Sequence, residues 1–374
     1  MPGPLVAAEV VGPGVRTTRD DGERATWSVE WLRDNCRCEG CRIVQTDERR
    51  WQPWLEGPPM IEALTVADGA LRIDWTSGHH STFTAADLAA LTAASRRGDH
   101  AVRHWAAGDE IERFVHAAVV ADHVTRRRLF EVFGRDGAVV VTDSSRRPGA
   151  CLDLLATLGL TVRDTALGRI FDVEVDPAGF NVAYTAEAIP PHNDNAQCTH
   201  PPSGQVLAML TNDAAGGASI VVDGWAVVDE LRRTDPAAVA VLAGVPVGFR
   251  QYSTVAEGFT RAPLLVLDES GRCTHLRFSN QLRQPLPPDH PDLDEWYRAY
   301  RLLGQAVTDP ASQVTFRLDA GDTLFVNGLR VLHGRTEFCP DRPRHLQDVY
   351  FDADDVAANL ARMTGEATDA MMPT

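Results

Sequence analysis

Short segments in which apolar and polar residues alternate run along most of the chain, and they predict a protein built mainly of β-strands. Successive side chains of a strand point to opposite faces, so alternation marks a strand with one buried face. Near the N-terminus this pattern predicts a small antiparallel sheet that includes residues 25–29 and 71–75. Further strands are predicted at residues 137–142, 169–175, 205–210, 219–222, 247–251, 264–267, 274–278, 313–318, 323–326 and 346–351.

A smaller number of segments repeat their apolar positions with the helical period. One begins after Asp122, a residue type that caps helix N-termini, and another carries Trp296, Tyr300 and Leu303 on one face. Helices are predicted at residues 85–96, 122–133, 150–158 and 292–306. Many short strands with a few helices predict an α+β, mainly β chain: a double-stranded β-helix (jelly roll) with flanking helices.

The strands near the N-terminus predict a small β domain separate from the jelly roll. We predict this domain at residues 1–106 and the jelly-roll domain at residues 107–374, with a linker at residues 97–109. A chain of 374 residues is long enough for two domains, each with a hydrophobic core of its own.

Charge and composition argue against several classes of function. The net charge of −16 and the sequence pI of about 5.1 argue against binding to nucleic acid or to an anionic membrane surface. All 36 of the Lys and Arg residues are arginines, so there is no lysine for a pyridoxal Schiff base or a conventional phosphate-binding loop. No signal-peptide pattern and no apolar run of transmembrane length is visible, which predicts a cytoplasmic protein.

Three of the seven cysteines crowd together near the N-terminus. Cys36, Cys38 and Cys41 are too close in sequence to form comfortable disulfides, but their thiolates can converge on one tetrahedral zinc ion. His79 or His80, which follow the strand at residues 71–75, can supply the fourth ligand. Four protein ligands leave no open position, so this zinc is predicted to be structural. The alternative is a set of reduced surface thiols.

A second set of candidate metal ligands lies in the predicted jelly roll. His192 and Asp194 are one residue apart, so in an extended backbone they point to the same face and can bind one ion together. His333, far downstream, offers a third ligand. Two histidines and one carboxylate form the facial triad of non-haem Fe(II) oxygenases, which leaves three coordination positions open. The alternative for His192 and Asp194 is an ordinary solvated loop.

Several longer motifs place these residues in a known context. In order, the chain contains Leu32-Arg33-Asp34-Asn35-Cys36, Trp75 with His79 downstream, Asn181-Val182-Ala183-Tyr184-Thr185, His192-Asn193-Asp194, Pro201-Pro202, Gly216-Gly217-Ala218-Ser219, Val222-Asp223-Gly224, Leu332-His333-Gly334-Arg335 and Arg344-His345-Leu346. On these motifs the chain resembles the gamma-butyrobetaine and trimethyllysine dioxygenases, within the taurine-dioxygenase-like group of Fe(II)/2-oxoglutarate enzymes. The resemblance covers nearly the whole chain.

The resemblance implies roles for the metal and co-substrate residues. It implies Fe(II) at His192, Asp194 and His333, and structural zinc at the three cysteines with His79 in preference to His80. It also implies that Arg344 pairs with the far carboxylate of 2-oxoglutarate, because a guanidinium can hold a carboxylate bidentately. Arg335 is the less favoured alternative for that role. Leu207 matches a family position that lines the 2-oxoglutarate site, and ascorbate is the expected reductant.

The resemblance also implies a substrate pocket. Family members that act on trimethylammonium compounds hold the cation in an aromatic cage by cation–π attraction. The matching cage positions are Leu167, Phe171, Tyr184 and Tyr350, of which Leu167 is not aromatic, while Asn181 and Asn280 match positions that bind the substrate carboxylate. The structural alternative for the three aromatic rings is core packing.

Three functions remain open on this basis. The first is hydroxylation of gamma-butyrobetaine by O2 and 2-oxoglutarate, which gives carnitine, succinate and CO2. The second is a related oxygenase that acts on another small amine, amino acid or phosphonate in a secondary pathway. The third is a zinc-stabilised binding protein without catalysis, which the complete set of iron and co-substrate residues disfavours. A homodimer is predicted, without a nucleic-acid or membrane partner.

Overall fold

A computed structural model describes residues 2–43, 45–95, 101–166, 168–179, 181–252 and 257–363. Leu167, one of the predicted cage positions, lies outside the described residues. Contacts divide the chain into two compact units, one formed by residues up to 100 and the other by residues 101–363. None of the helices in the described ranges is both long and apolar enough to cross a membrane. The domain boundary at residue 106 stays a prediction.

The N-terminal unit consists of two small antiparallel sheets and two helices. Its elements are β1 (Leu5–Val11), β2 (Gly14–Arg19), β3 (Arg24–Ser28), α1 (Val29–Asp34), β4 (Ile61–Ala67), β5 (Ala70–Trp75), β6 (His80–Thr84) and α2 (Ala85–Ser95). The sheets have the orders β1-β2-β3 and β4-β5-β6. Leu32, Leu71, Ile73, Trp75 and Phe83 are buried together in one core. The strands predicted at residues 25–29 and 71–75 correspond to β3 and β5.

The second unit contains the remaining strands and helices. Its strands are β7 (Arg113–Val115), β8 (Ala138–Thr142), β9 (Val162–Arg163), β10 (Phe171–Val173), β11 (Ile189–His192), β12 (Gly204–Asn212), β13 (Ser219–Asp223), β14 (Val247–Tyr252), β15 (Glu257–Ala262), β16 (Leu265–Leu267), β17 (Cys273–Leu276), β18 (Gln313–Phe316), β19 (Thr323–Asn327), β20 (Val331–Arg335) and β21 (Arg344–Phe351). Its helices are α3 (His116–Ala121), α4 (His123–Asp136), α5 (Ala150–Thr157), α6 (Gly224–Thr234), α7 (Pro236–Gly244), α8 (Leu293–Thr308) and α9 (Asp354–Met363).

Two sheets of the second unit share one hydrophobic core. The larger has the order β10-β21-β12-β19-β8-β7, with β9 also paired to β21, and the smaller has the order β11-β20-β13-β18. Met209, Leu324 and Leu346 of the larger sheet pack in the same buried cluster as Val221 and Val331 of the smaller one. Alternation along the strands therefore directs one face of each sheet into this shared core.

Helices cover the other face of the larger sheet. Phe130 and Phe133 of α4 and Leu154 of α5 are buried with Val206 of β12 and Phe351 of β21. The predicted cap of α4 is present, since the Asp122 carboxylate accepts hydrogen bonds from the backbone N–H groups of the second and third residues after it. The helices thus fix the position of β12 and β21.

The structure differs from the sequence-based prediction in several places. The helices α1, α3, α6, α7 and α9 and the strands β7, β9, β11, β15 and β20 are not among the predicted elements. The apolar stretch Ala237–Ala243 within α7 lacks the one-sided pattern that identifies an amphipathic helix. Trp105 lies in the segment predicted as a linker, but its side chain is buried in the core between the two sheets and donates a hydrogen bond to the Asp136 carbonyl. This part of the segment is therefore packed and does not behave as a linker.

Candidate active site

The three predicted iron ligands lie together where β11 and β20 pair. His192 and His333 are directly opposite each other in the antiparallel ladder, and their ring centroids are 4.6 Å apart. Asp194 follows β11 by two residues, with its Oδ1 3.3 Å from His192 Nε2 and its Oδ2 3.5 Å from His333 Nε2. All three donor atoms lie within 4.8 Å of one another. This donor set and spacing fit one Fe(II) ion, bound on one face.

Local backbone geometry sets this arrangement. A Cβ at position 334 would lie 2.4 Å from the carbonyl oxygen of Ile189, so the close approach of β11 and β20 beside His333 requires Gly334. His192 Nδ1 lies 3.0 Å from the Pro190 carbonyl oxygen, which holds the proton on Nδ1 and leaves Nε2 free for a ligand.

Electrostatics keep two of the ligands in their metal-binding forms. Burial lowers the pKa of His333 to about 4, so this imidazole is neutral at pH 7. Burial acts to raise the pKa of Asp194, but His333, His192 and the Tyr350 hydroxyl outweigh it and hold the pKa well below its usual range. A neutral histidine and an ionised carboxylate are the forms that bind a metal.

Polar side chains of β12 and β21 contact one oxygen of Asp194, Oδ2. Gln205 Nε2 donates to Asp194 Oδ2 at 2.7 Å, and the Tyr350 hydroxyl donates to the same oxygen at 3.0 Å. Gln205 and Tyr350 also contact Asp348, at 2.9 and 2.5 Å. Sequence reasoning did not identify Gln205 or Asp348 as site residues. The available signal was an acidic residue, Asp348, inside the predicted strand at residues 346–351.

Asp348 is one of the most deeply buried acidic residues of the described chain, with 3% of its surface exposed. Burial and the nearby charge of Asp194 raise the pKa of Asp348 well above its usual range. Tyr350 was predicted as a wall of an aromatic cage. Tyr350 does line the cavity, and its hydroxyl contacts the Asp194 carboxylate.

The cavity next to the three predicted ligands contains a buried arginine that has no counter-ion among the described residues. Arg344, at the start of β21, is 7% exposed, and its Nε has no hydrogen-bond partner in the described chain. Burial and the charge of Arg317 lower the pKa of Arg344 to about 10, so it stays charged at pH 7. A buried cation without an anion fits an external dicarboxylate, and 2-oxoglutarate has this chemistry.

Two neighbours set the position of the Arg344 guanidinium. It lies over the Phe338 ring, with 5.2 Å from Cζ to the ring centroid. On another side, Gly217 adopts a φ of +64°, and a Cβ there would lie 3.1 Å from Arg344 Nε. A larger residue at position 217 would therefore be strained and would press on the guanidinium.

Arg335, the alternative partner for 2-oxoglutarate, is already occupied. Its guanidinium donates to the backbone carbonyls of Val182, Ala183, Thr185 and Glu187. It therefore holds the segment that follows Asn181, and its hydrogen-bonding capacity is largely used within the protein.

The predicted substrate residues divide into two groups. Phe171, Asn181 and Tyr350 line the cavity, and Leu207 lines it as well. The Tyr184 ring instead packs edge-on against Phe171, at 5.4 Å between centroids, and is not part of the lining.

Asn280 is exposed and also lies outside the cavity lining, where its Oδ1 accepts a hydrogen bond from the Tyr300 hydroxyl at 3.0 Å. The lining also contains polar residues that the sequence did not single out, among them Gln251, Ser279 and Gln281. The substrate roles of all these residues stay predictions.

The predicted zinc ligands converge in the N-terminal unit. The Sγ atoms of Cys36, Cys38 and Cys41 lie 3.3, 3.7 and 3.5 Å from His79 Nε2. His79 reaches them from the turn between β5 and β6, where its carbonyl accepts a hydrogen bond from the Trp75 N–H. The donor set and the mutual distances of less than 4.8 Å fit one tetrahedral zinc ion.

His80 takes a different position. Its Nδ1 lies 2.6 Å from the Asp74 carboxylate, and it is not part of the cluster. Burial lowers the pKa of His79, which favours the neutral imidazole that binds a metal. The geometry therefore favours His79 over His80 as the fourth ligand.

Cys38→Ser is expected to lose bound zinc and to destabilise the N-terminal unit, because a hydroxyl replaces one of four ligands and structural zinc contributes folding energy. The measurement is elemental analysis of anaerobically purified protein, with thermal unfolding in parallel. Cys339→Ser, at an exposed cysteine outside the cluster, is the matched control. Full zinc content in the Cys38 variant would contradict the prediction.

Comparison with known proteins gives the family of this chain. The model of the taurine catabolism dioxygenase TauD, TfdA family matches residues 98–350, and a gamma-butyrobetaine hydroxylase-like N-terminal model matches residues 14–89. A gamma-butyrobetaine dioxygenase from Pseudomonas sp. (strain AK-1) is 32% identical, over 96% of this chain and 95% of that protein.

More distant relatives have related names. A human gamma-butyrobetaine dioxygenase is 25% identical, over 91% of this chain and 92% of that protein. A trimethyllysine dioxygenase from Neurospora crassa is 26% identical, over 85% of this chain and 76% of that protein. Since one family model covers more than half of the sequence and a relative above 30% identity spans nearly all of it, the chain belongs to the TauD, TfdA family and is a dioxygenase.

Proposed function

We propose that this dioxygenase uses Fe(II) and 2-oxoglutarate to hydroxylate a small substrate, with gamma-butyrobetaine as the best candidate and carnitine, succinate and CO2 as products. One observation carries the proposal. His192, Asp194 and His333 line the same cavity as Arg344, a buried cation that has no counter-ion within the described part of the chain. A metal site and an anion site in one cavity are what a chelating dicarboxylate co-substrate needs.

We further propose that the two sheets of the second unit are the two halves of a double-stranded β-helix. Their shared core supports this architecture, because a jelly roll packs two antiparallel sheets face to face. We propose residues 1–106 and 107–374 as the two domains, with a structural zinc in the first. A homodimer, a cytoplasmic location and ascorbate as reductant remain part of the proposal.

The side chains of the site have separate tasks in this proposal. When bound, iron with 2-oxoglutarate and O2 supplies the oxidising power that hydroxylates a C–H bond. His192, Asp194 and His333 hold the ion and leave its other positions open. Arg344 binds the far carboxylate of the co-substrate, and Leu207 packs beside it. The cavity walls orient the substrate and exclude competing reactions.

The substrate assignment rests on the relatives and on the lining of the cavity. Gamma-butyrobetaine dioxygenases are similar over nearly the whole chain. Phe171 and Tyr350 line the cavity, and aromatic rings attract a quaternary ammonium group. Tyr184 supports the Phe171 ring from behind. Asn181 and Asn280 are proposed to bind the substrate carboxylate, although Asn280 itself lies outside the cavity lining.

A second candidate is a small amine, amino acid or phosphonate without a trimethylammonium group. The observation that favours it is the polar lining. Gln251 and Gln281 line the cavity, whereas Tyr184 does not. Substrate-stimulated release of succinate, measured with Fe(II), ascorbate and a panel of such compounds, tests both candidates. A protein that released no succinate with any of them would contradict the proposed function.

If gamma-butyrobetaine is the substrate, 5,5-dimethylhexanoate is expected to bind distinctly worse. This compound replaces the trimethylammonium group by an uncharged tert-butyl group of similar shape. Loss of cation–π attraction costs about 0.5–2 kcal/mol per aromatic contact, or roughly two- to thirtyfold in affinity for each ring. The measurement compares the KM values of the two compounds. Equal values would show that Phe171 and Tyr350 are ordinary pocket walls.

A further inference from the structure

The Oδ2 atom of Asp194 is part of a closed hydrogen-bond network with Gln205, Tyr350 and Asp348. Gln205 of β12 and Tyr350 of β21 are directly opposite each other in the sheet. Each contacts Asp194 Oδ2 with one atom and reaches Asp348 with the same atom, at distances between 2.5 and 3.0 Å. Asp348 is therefore linked to Asp194 through two donors.

Counting hydrogens determines how this network is satisfied. The Gln205 amide has two N–H groups, one for each carboxyl group. The Tyr350 hydroxyl has a single hydrogen, yet it lies within hydrogen-bond distance of both Asp194 and Asp348. One of the two contacts must therefore use a hydrogen that a carboxyl group supplies.

Asp348 is the carboxyl group that can supply it. Asp348 has 3% of its surface exposed, and it forms no ion pair with a described arginine or histidine. An ionised Asp348 would be an unpaired buried charge close to a second carboxylate, which is unfavourable. As a neutral acid it donates to the Tyr350 oxygen, and Tyr350 then donates to Asp194.

We propose that Asp348 is the positioning residue of the metal-ligand carboxylate, acting through Gln205 and Tyr350. The two donors occupy Asp194 Oδ2 and leave Oδ1, the oxygen nearer His192, for the ion. A carboxylate held in this way binds with one oxygen and keeps three positions open on the metal. The inference rests on the proposed iron site and extends it to residues that do not touch the metal.

The position of Asp348 on β21 explains why one substitution can be informative. Asp348 and Tyr350 are two residues apart in a strand, so both side chains point to the cavity face. Val349, between them, points to the opposite face and is buried against the helices. Changes at position 348 therefore affect the network without removing the hydrophobic core behind the sheet.

The test compares Asp348→Ala, Asp348→Asn and Tyr350→Phe. Asparagine keeps one acceptor for Gln205 and one N–H donor for Tyr350, so it reproduces the neutral acid. We expect Asp348→Asn to bind Fe(II) like the wild type. Asp348→Ala and Tyr350→Phe are each expected to weaken Fe(II) affinity by about 10- to 100-fold, the usual effect of removing a partner of a metal ligand. The double variant that combines Asp348→Ala with Tyr350→Phe should bind Fe(II) no more weakly than the weaker-binding of the two single variants.

Fe(II) affinity is measured anaerobically on the full-length protein by equilibrium dialysis, and the Co(II)-loaded protein reports coordination number by its visible absorption. A shift of the Co(II) spectrum in Asp348→Ala, absent in Asp348→Asn, supports the proposal. A lower Tm with unchanged Fe(II) affinity in Asp348→Ala would show a structural role only and overturn it.

If Asp348→Asn lost as much Fe(II) affinity as Asp348→Ala, the arrangement in which a neutral Asp348 donates a hydrogen to Tyr350 would be overturned. If Asp348→Ala fails to fold, Tyr350→Phe decides, because unchanged Fe(II) affinity in that variant also overturns the proposal. Unchanged Fe(II) affinity in Asp194→Ala would instead contradict the proposed iron site itself. The two failures are therefore distinguishable.

Discussion

Asp194→Ala is expected to abolish Fe(II) binding and turnover while the protein stays folded. Asp194 is the only anionic member of the three-ligand cluster, and its donor oxygen lies 3.3 Å from His192 Nε2. Without it, two neutral imidazoles remain, which cannot complete a facial site. The measurements are Fe(II) content, succinate release and the Tm of the variant.

The fold is expected to survive this change because the neighbours of Asp194 keep other partners. Gln205 and Tyr350 both retain hydrogen bonds to Asp348. Asp213→Ala, at an exposed aspartate of the same unit, is the matched control and should retain Fe(II) and activity. Wild-type hydroxylation by the Asp194 variant would place the iron elsewhere.

Arg344→Ala is expected to raise the KM for 2-oxoglutarate far more than the KM for the substrate. The guanidinium is buried, charged at pH 7 and without a counter-ion in the described chain. Loss of one partner of a buried hydrogen-bonded charge pair costs about 2–5 kcal/mol, or roughly one and a half to four decades in affinity. Steady-state kinetics with each substrate varied in turn measure the effect.

Arg342→Ala is the matched control for this prediction, since Arg342 lies two residues earlier and is exposed. A second readout separates binding from folding. A buried cation without a partner costs stability, so removal of Arg344 should not lower the Tm in the absence of 2-oxoglutarate. An unchanged KM for 2-oxoglutarate with a raised KM for the substrate would instead assign Arg344 to the substrate.

The sequence by itself determined the local parts of this protein. The start of the helix after Asp122 is predicted by the Asp122 side chain, which caps the first helical turn. The cysteines at 36, 38 and 41 are close in sequence, so any compact turn brings them near one ion. His192 and Asp194 are also close in sequence, although Asp194 lies in the turn that follows β11 and not in the strand itself. Interactions over a few residues depend on backbone periodicity, which sequence patterns report directly.

The family motifs also identified His333 and Arg344 as site residues, although both are distant from His192 in the sequence. Sequence alone provided no physical reason for their proximity to His192. The pairing register of β11 and β20 sets His192 opposite His333, and that register depends on packing in the shared core.

Only the tertiary structure decided which residues face the cavity. The family resemblance had favoured His79 over His80 as a zinc ligand, and the physical reason lies in the turn between β5 and β6, which directs His79 to Cys36 while His80 contacts Asp74. Arg335 differs from Arg344 as a partner for 2-oxoglutarate because its guanidinium already donates hydrogen bonds to backbone carbonyls. No pattern of residue types reveals these bonds.

The proposed roles of Gln205 and Asp348 also depend on the tertiary structure. Each lies inside a strand whose neighbours are buried, and a one-residue change of register would direct both side chains away from Asp194. Hydrogen-bond partners across strands depend on register and on side-chain direction, and both are set by the packing of the whole unit. The physical reason is that sequence patterns report which face is buried, whereas the tertiary fold determines what each buried polar group contacts.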